Sequence, residues 1–221
     1  MSAPFVVLLL GSVKSGKTTF VKSLLKAGVV DGPTTTCREY EVNLSGSAFM
    51  IIDTPGFDNS VRANLVVLRT IAEKLDETTK RKTNLKVNGV IYFHRITDLR
   101  LTGPAATQIE ILEQICGKDF YPHVAFVTSM WNRINRKVDV SYDNLHKALG
   151  QKYSAWEFFQ FTDGASAEKV LESLRGNAAT TATLQLEKEV RASGSKASSV
   201  RKTKAGKRIE REMDRNRCTI L

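Results

Sequence analysis

The sequence predicts an α/β fold of three layers, with helices on both faces of a six-stranded, mostly parallel sheet that has one antiparallel edge strand. Three observations predict it. Apolar runs of strand length alternate with segments of helical spacing along residues 1–176 of the 221. Gly, Pro or Ser marks most of the switches between them. The 42% hydrophobic content is enough to bury a real core, which excludes a wholly disordered chain and a small disulfide-stapled scaffold.

Phe5–Leu10 is a continuous apolar run and reads as a buried strand. Lys17–Ala27 reads as a helix ended by Gly28. Arg38–Leu44 and Ala48–Asp53 read as two strands joined by the turn Ser45-Gly46-Ser47, the first of them being the antiparallel edge. Arg62–Glu77 has helical spacing through Leu65, Leu68, Ala72 and Leu75. Gly89–Phe93 is a strand, and Pro104–Cys116 a helix with proline in its first turn and Gly117 at its end. Val124–Val127 is a strand, Tyr142–Leu149 a short helix, Trp156–Phe161 the last strand and Ser166–Leu174 the last helix of this unit. Right-handed crossovers then place helices on both faces.

No stretch reaches the roughly 18 apolar residues that a membrane-spanning helix needs. The run Pro4–Leu10 is shorter still and lacks the basic flank of a signal peptide. Cys37, Cys116 and Cys218 form no CxxC pair, so a reducing compartment is expected and a structural zinc is not. His94, His123 and His146 have no metal-ligand spacing and are read as structural. Trp156, Phe158, Phe159 and Phe161 are read as core.

Gly11-Ser12-Val13-Lys14-Ser15-Gly16-Lys17-Thr18 matches G-x-x-x-x-G-K-[ST], with Thr19 following. The glycines let the backbone curl so that consecutive N–H groups face phosphate oxygens. Lys17 reaches the β- and γ-phosphates, the Thr18 hydroxyl ligates Mg²⁺, and the helix start adds its positive dipole end. A chance match is expected on the order of once in a hundred chains of this length. Here the motif also has a strand before it and a helix after it. The fold is therefore expected to be the P-loop NTPase fold. Asp53-Thr54-Pro55-Gly56 ends a strand, which puts Asp53 where it can hold Mg²⁺ and the Gly56 N–H where it can meet a γ-phosphate. Alone, D-x-P-G is a common turn; paired with the first motif it points to a GTPase-type switch. A switch loop also needs a threonine on Mg²⁺. Thr34, Thr35 and Thr36 are all eligible, and Thr35 is favoured.

Residues 5–175 resemble the G domains of the septin/AIG1/Toc branch of P-loop GTPases, and among them fungal AIG1-like G-domain proteins. The resemblance rests on Gly11–Thr18, on Asp53-Thr54-Pro55-Gly56-Phe57-Asp58, on Ile91-Tyr92-Phe93-His94-Arg95-Ile96-Thr97-Asp98 and on Val127-Thr128-Ser129-Met130-Trp131-Asn132. It implies GTP/GDP and Mg²⁺ as ligands, with Thr128 and Trp131 at the base. The sequence departs from the usual pattern in two places. Where a typical GTPase has [NT]-K-x-D, this chain has Thr128-Ser129-Met130-Trp131, with no carboxylate to read guanine. Trp131 either stacks on the base or belongs to the core. Thr162-Asp163-Gly164-Ala165-Ser166 follows the last strand and could approach the base. Where a Ras-like protein has a water-orienting Gln, this chain has Phe57, so slow hydrolysis is expected, stimulated by a homodimer or an activating protein.

The net charge of +10 is uneven: residues 191–221 carry +7 and the remainder +3. Residues 177–221 therefore read as a second unit, a basic tail that is partly helical or disordered. It ends in Cys218-Thr219-Ile220-Leu221, which fits the geranylgeranyl-favouring form of C-a-a-X, with Cys218 as the lipidated residue. One prenyl chain needs a second attachment signal. Basic residues at an anionic leaflet supply about 1 kcal/mol each. A flexible tail of this length would span roughly 30 Å. The leading expectation is thus a lipid-anchored GTP-binding protein on the cytoplasmic face of a membrane. Beside it stand a non-hydrolysing nucleotide-binding module and a P-loop ATPase or small-molecule kinase. Nucleic acid is disfavoured as a partner, because only the tail is basic.

Overall fold

The computed structural model describes residues 3–25, 28–29, 32–58, 60–81, 85–98, 103–133, 139–177, 182–194 and 197–218. Among the described residues the sheet has six strands: β1 (Phe5–Gly11), β2 (Arg38–Leu44), β3 (Ser47–Asp53), β4 (Val87–Arg95), β5 (Val124–Ser129) and β6 (Glu157–Gln160). Their order is β2-β3-β1-β4-β5-β6, with β2 antiparallel to β3 and every other pair parallel. The β2–β3 turn holds Ser45 and Gly46 at φ 48° and 77°, the left-handed pair that suits the twist of a two-residue hairpin.

The sheet sorts its side chains by the period of two. Val6, Leu8, Leu10, Met50, Ile52, Val90, Tyr92, Val124 and Phe126 enter one apolar cluster; Val7, Leu9, Phe49, Ile51, Ile91, Phe93, Ala125 and Val127 enter the other. Helices α1 (Lys17–Leu24) and α5 (Gly164–Gly176) cover the second face, with Phe20, Val21, Val170 and Leu171 buried there. Helices α2 (Val61–Arg81), α3 (Pro104–Cys116) and α4 (Asp139–Lys152) cover the first. Continuous apolar strands are what a sheet buried on both faces requires. No helix among the described residues is long and apolar enough to cross a membrane. His94, His123 and Cys116 are buried side chains of this body, whereas His146 is exposed and meets Phe158 edge-on. Trp156 and Phe161 are buried, and Phe158 and Phe159 half-buried.

The segment expected to be a basic, partly helical or disordered tail packs on the same core through its described residues. Helix α6 (Gln185–Ala192), a 3₁₀ stretch (Ala197–Lys202) and helix α7 (Lys204–Cys218) lie against α2 and α3. Leu184, Leu186, Val190, Val200, Ala205 and Ile209 are all buried in the cluster of the first face. Arg208 pairs with Glu110 and reaches Thr107 of α3, and Lys188 pairs with Asp119 at 3.3 Å. The composition of 184–209 reads as polar and basic because its apolar residues are few; nearly every one of them faces inward, and the cations stay in water. The roughly 30 Å reach expected of this segment as a flexible tether therefore does not apply to 184–194 and 197–212. The Cys218 side chain and residues 219–221 lie outside the described residues.

Candidate functional site

β1 ends at Gly11, and the chain turns through Ser12–Ser15 into α1. Gly11 sits at φ 144°, and a Cβ there would lie 2.5 Å from the Phe93 carbonyl oxygen of β4, so only glycine fits. Lys17 opens α1 and folds back: its Nζ donates to the carbonyls of Ser12 (3.0 Å) and Gly11 (3.4 Å). Its burial pushes the ammonium down to about 8, and the Asp53 charge pulls the other way. An ammonium held that way, with no full counter-charge on it, is ready for an anion. Ser129, at the end of β5, donates its hydroxyl to the Ser15 carbonyl at 2.7 Å and holds the loop from the far side.

Asp53 ends β3, fully buried. Its Oδ2 accepts from Thr18 (2.8 Å) and from Thr34 (3.2 Å), and the two hydroxyls are 3.1 Å apart. Its Oδ1 is buried with no hydrogen-bond partner among the described residues. An unsatisfied buried carboxylate oxygen costs stability unless something occupies it. The donor set, one carboxylate and two hydroxyls, is the hard-oxygen set that suits Mg²⁺ completed by water and phosphate. Of the three eligible threonines, Thr34 approaches this cluster, while Thr35 and Thr36 are exposed.

The segment after β3 is stitched onto the phosphate loop. Phe57 N–H donates to the Gly11 carbonyl at 3.0 Å, and Val13 N–H donates to the Phe57 carbonyl at 2.9 Å. A Cβ on Gly56 would lie 2.5 Å from Val13 Cα, so this approach too needs glycine. The buried Thr54 hydroxyl bonds the Leu9 carbonyl at 2.6 Å and ties β3 to β1. The Phe57 ring is 2% exposed and lies in the core, where it can orient no water. Asn64, which the sequence reading passed over, exchanges two bonds with the Asp58 backbone (2.7 and 2.8 Å) and fixes the loop before α2. An Asn inside an apolar helical repeat was the only signal.

Beside these residues lies a cavity of about 570 Å³, within the range of ligand-sized sites. Val13 through Thr19, Gly32–Thr34 and Gly56 line it, joined by Met130 and Arg133 from the loop after β5. Thr128 and Trp131 do not line it. Thr128 is buried and bonds the Phe159 carbonyl at 3.1 Å. The Trp131 indole N–H donates to the Thr128 carbonyl (3.1 Å) and hydroxyl (3.2 Å), and its ring meets Tyr142 edge-on. The Trp131 ring is half-buried and lies outside both apolar clusters of the core. Asp163 caps α5 by accepting from Ser166 N–H at 2.8 Å, which holds its carboxyl below its usual value. The contribution of Met130 and Arg133 was not legible, because nothing in the sequence says which side chains of an irregular loop turn inward.

The sequence profile of the 50S ribosome-binding GTPase family matches residues 6–125. The structure is similar to that of Toc33 from Arabidopsis thaliana in complex with GDP and Mg²⁺, at 18% identity over 83% of this chain and 87% of that one, with a TM-score of 0.63. A second Toc33 structure, with Mg²⁺ and GMPPNP, gives 18% identity over 82% and 87% and a TM-score of 0.61. An Era variant from Aquifex aeolicus bound to GDP.AlF4⁻ gives 18% identity over 77% of this chain and 56% of that one, with a TM-score of 0.52. At such identities the likeness establishes the fold. No curated protein sequence matches the chain. The profile spans more than half of the 221 residues and runs through the phosphate loop and the Asp53 strand end, so the chain belongs to the 50S ribosome-binding GTPase family as a GTP-binding G domain.

Proposed function

We propose that this chain binds GTP and GDP with Mg²⁺ and hydrolyses GTP slowly, as a switch or a self-assembling scaffold of the septin/AIG1/Toc branch. The observation that carries the reading is the half-satisfied Asp53 carboxylate, with its free buried oxygen, beside Thr18, Thr34 and the Lys17 ammonium. Of the structures it resembles, one of Toc33 contains GDP and Mg²⁺, another Mg²⁺ and GMPPNP, and that of the Era variant GDP.AlF4⁻. In this reading Lys17 and the loop N–H groups hold the β- and γ-phosphates, and the glycines keep side chains out of their way. Thr18, Asp53 and Thr34 would hold Mg²⁺, whose charge offsets that on the phosphate oxygens in the transition state. Thr34 takes the switch role for which Thr35 was favoured.

Slow turnover is the expectation, because the buried Phe57 ring cannot take the water-orienting role of a Gln at that position. Self-association or an activating protein would supply the missing group; a dimerization-deficient mutant of Toc33 is among the similar structures. The reading extends to a peripheral place on an anionic, cytoplasmic membrane face. It is supported by the exposed cations Arg201, Lys202, Lys204, Lys207 and Arg211, with Cys218 as the lipid site.

Titration of the purified full-length protein with methylanthraniloyl-GDP tests the reading. Saturable binding that chelation of Mg²⁺ weakens and Lys17→Ala abolishes is expected; affinity unchanged in that variant overturns it. Phosphate release per molecule is expected to rise with protein concentration. Release absent at every concentration would leave a non-hydrolysing binding module in its place.

A further inference from the structure

The cavity has a direction. Thr34, bonded to Asp53 at the end of β3, and Gly56 line it on the β3 side of β1, and Met130 and Arg133 follow β5 on the other side, in the sheet order β3-β1-β4-β5. A triphosphate whose last phosphate meets the Asp53–Thr34 end must send its nucleoside toward Met130 and Arg133. Met130 is held at φ 66°, and its methyl lies within van der Waals reach of a Cβ position on Gly16 (3.9 Å), beside the phosphate loop. Arg133 is exposed, and its backbone N–H is fixed by the Met130 carbonyl at 3.0 Å.

The chemistry at this end is one-sided. Among the described lining residues there is no Asp or Glu. The place a base-reading carboxylate holds in related domains is filled by Trp131, whose only polar group is a donor already spent on Thr128. A guanidinium offers donors and no acceptor. It pairs with the acceptor edge of guanine, O6 and N7, and it meets the adenine amino group donor to donor.

Resting on the GTP-binding reading above, we infer that Arg133 is the specificity-determining residue, selecting 6-oxopurine nucleotides through O6 and N7, while the 2-amino edge of guanine is left unread. The site thus accepts inosine as well as guanosine nucleotides and rejects adenosine nucleotides. Met130 is the apolar surface under the base.

Competition against methylanthraniloyl-GDP with excess Mg²⁺, using the full-length protein, tests it. ITP is expected to bind within about threefold of GTP, since no charged hydrogen bond to the amino group is lost. ATP is expected to bind roughly tenfold or more weakly. Arg133→Ala should bring GTP and ATP within about threefold of each other, with an unchanged melting temperature because the side chain is exposed. Arg133→Lys, a point charge without the fork, should fall between. If ITP binds roughly tenfold or more weakly than GTP, a carboxylate such as Asp163 reads the amino edge and the inference is overturned. An Arg133→Ala protein that keeps its GTP-to-ATP ratio overturns it as well. Should no triphosphate bind the wild-type protein, the GTP-binding reading falls, and this inference with it.

Discussion

Lys17 shows how one side chain carries both structure and chemistry. Its ammonium donates to two loop carbonyls, so it braces the turn that we propose cradles phosphate. Burial makes it a weak holder of its proton, at about 8 in the nucleotide-free protein. Phosphate favours the charged form and raises that value in the complex. Above pH 8 binding must therefore recover a proton, and affinity falls by roughly tenfold per pH unit until the bound-state value is reached. Below pH 8 it is flat. Titrations with methylanthraniloyl-GDP between pH 6.5 and 9.5 at constant Mg²⁺ check this; a flat profile across pH 8 would mean that Lys17 does not touch the ligand. Asp53 is the complementary case. Its free Oδ1 is costly in isolation, so Asp53→Asn is expected to weaken the dependence of affinity on Mg²⁺ while leaving the fold intact.

At the scale of elements, α6 and α7 are the finding that changes the picture. Each buried Leu, Val or Ile they bring contributes about 1.5–3 kcal/mol of transfer free energy. Ile209 is 0% exposed, in the middle of α7. Ile209→Ala should lower stability by about 2–5 kcal/mol in denaturant unfolding. A tail in solution would register no change. The α2–α6 seam holds a buried carboxylate, Glu187, bonded to Arg191 and Thr79 through Oε1 and, among the described residues, unpartnered at Oε2. Desolvation raises its carboxyl above the ordinary value in spite of Arg191. Between the unfolded and folded values the native state binds more protons, so stability falls as pH rises through that window. Glu187→Gln removes that dependence, and its stability relative to wild type should improve from pH 4 upward; a gap independent of pH would show that Glu187 does not titrate there.

For the whole molecule, residues 184–194 and 197–212 and the helix that follows Asp58 are one packed unit. Helix α2 continues the loop stitched onto the phosphate turn, and its far side is covered by α6 and the 3₁₀ stretch. Removal of residues 184–221 uncovers apolar surface around Ala72 and Leu75 of α2. The shortened protein is expected to melt at a lower temperature and to associate at concentrations where the full chain stays monodisperse in light scattering. An unchanged melting temperature would mean that the G domain ends where its sequence pattern does.

The sequence by itself determined the alternation of strand and helix, the antiparallel edge and the phosphate loop, because these are local matters. A period of two or 3.6, a glycine that must curl and a lysine at a helix start are all written within a dozen residues. Helix ends and the strands at Gly89, Val124 and Trp156 came out a few residues different, since caps and neighbouring strands set the last hydrogen bonds. Only the tertiary structure decided which threonine meets Asp53, that Trp131 turns back on Thr128, that Arg133 lines the cavity and that the basic segment is packed. Each of these depends on residues far apart in the chain arriving at one place, where burial and hydrogen bonding choose among side chains that composition cannot rank.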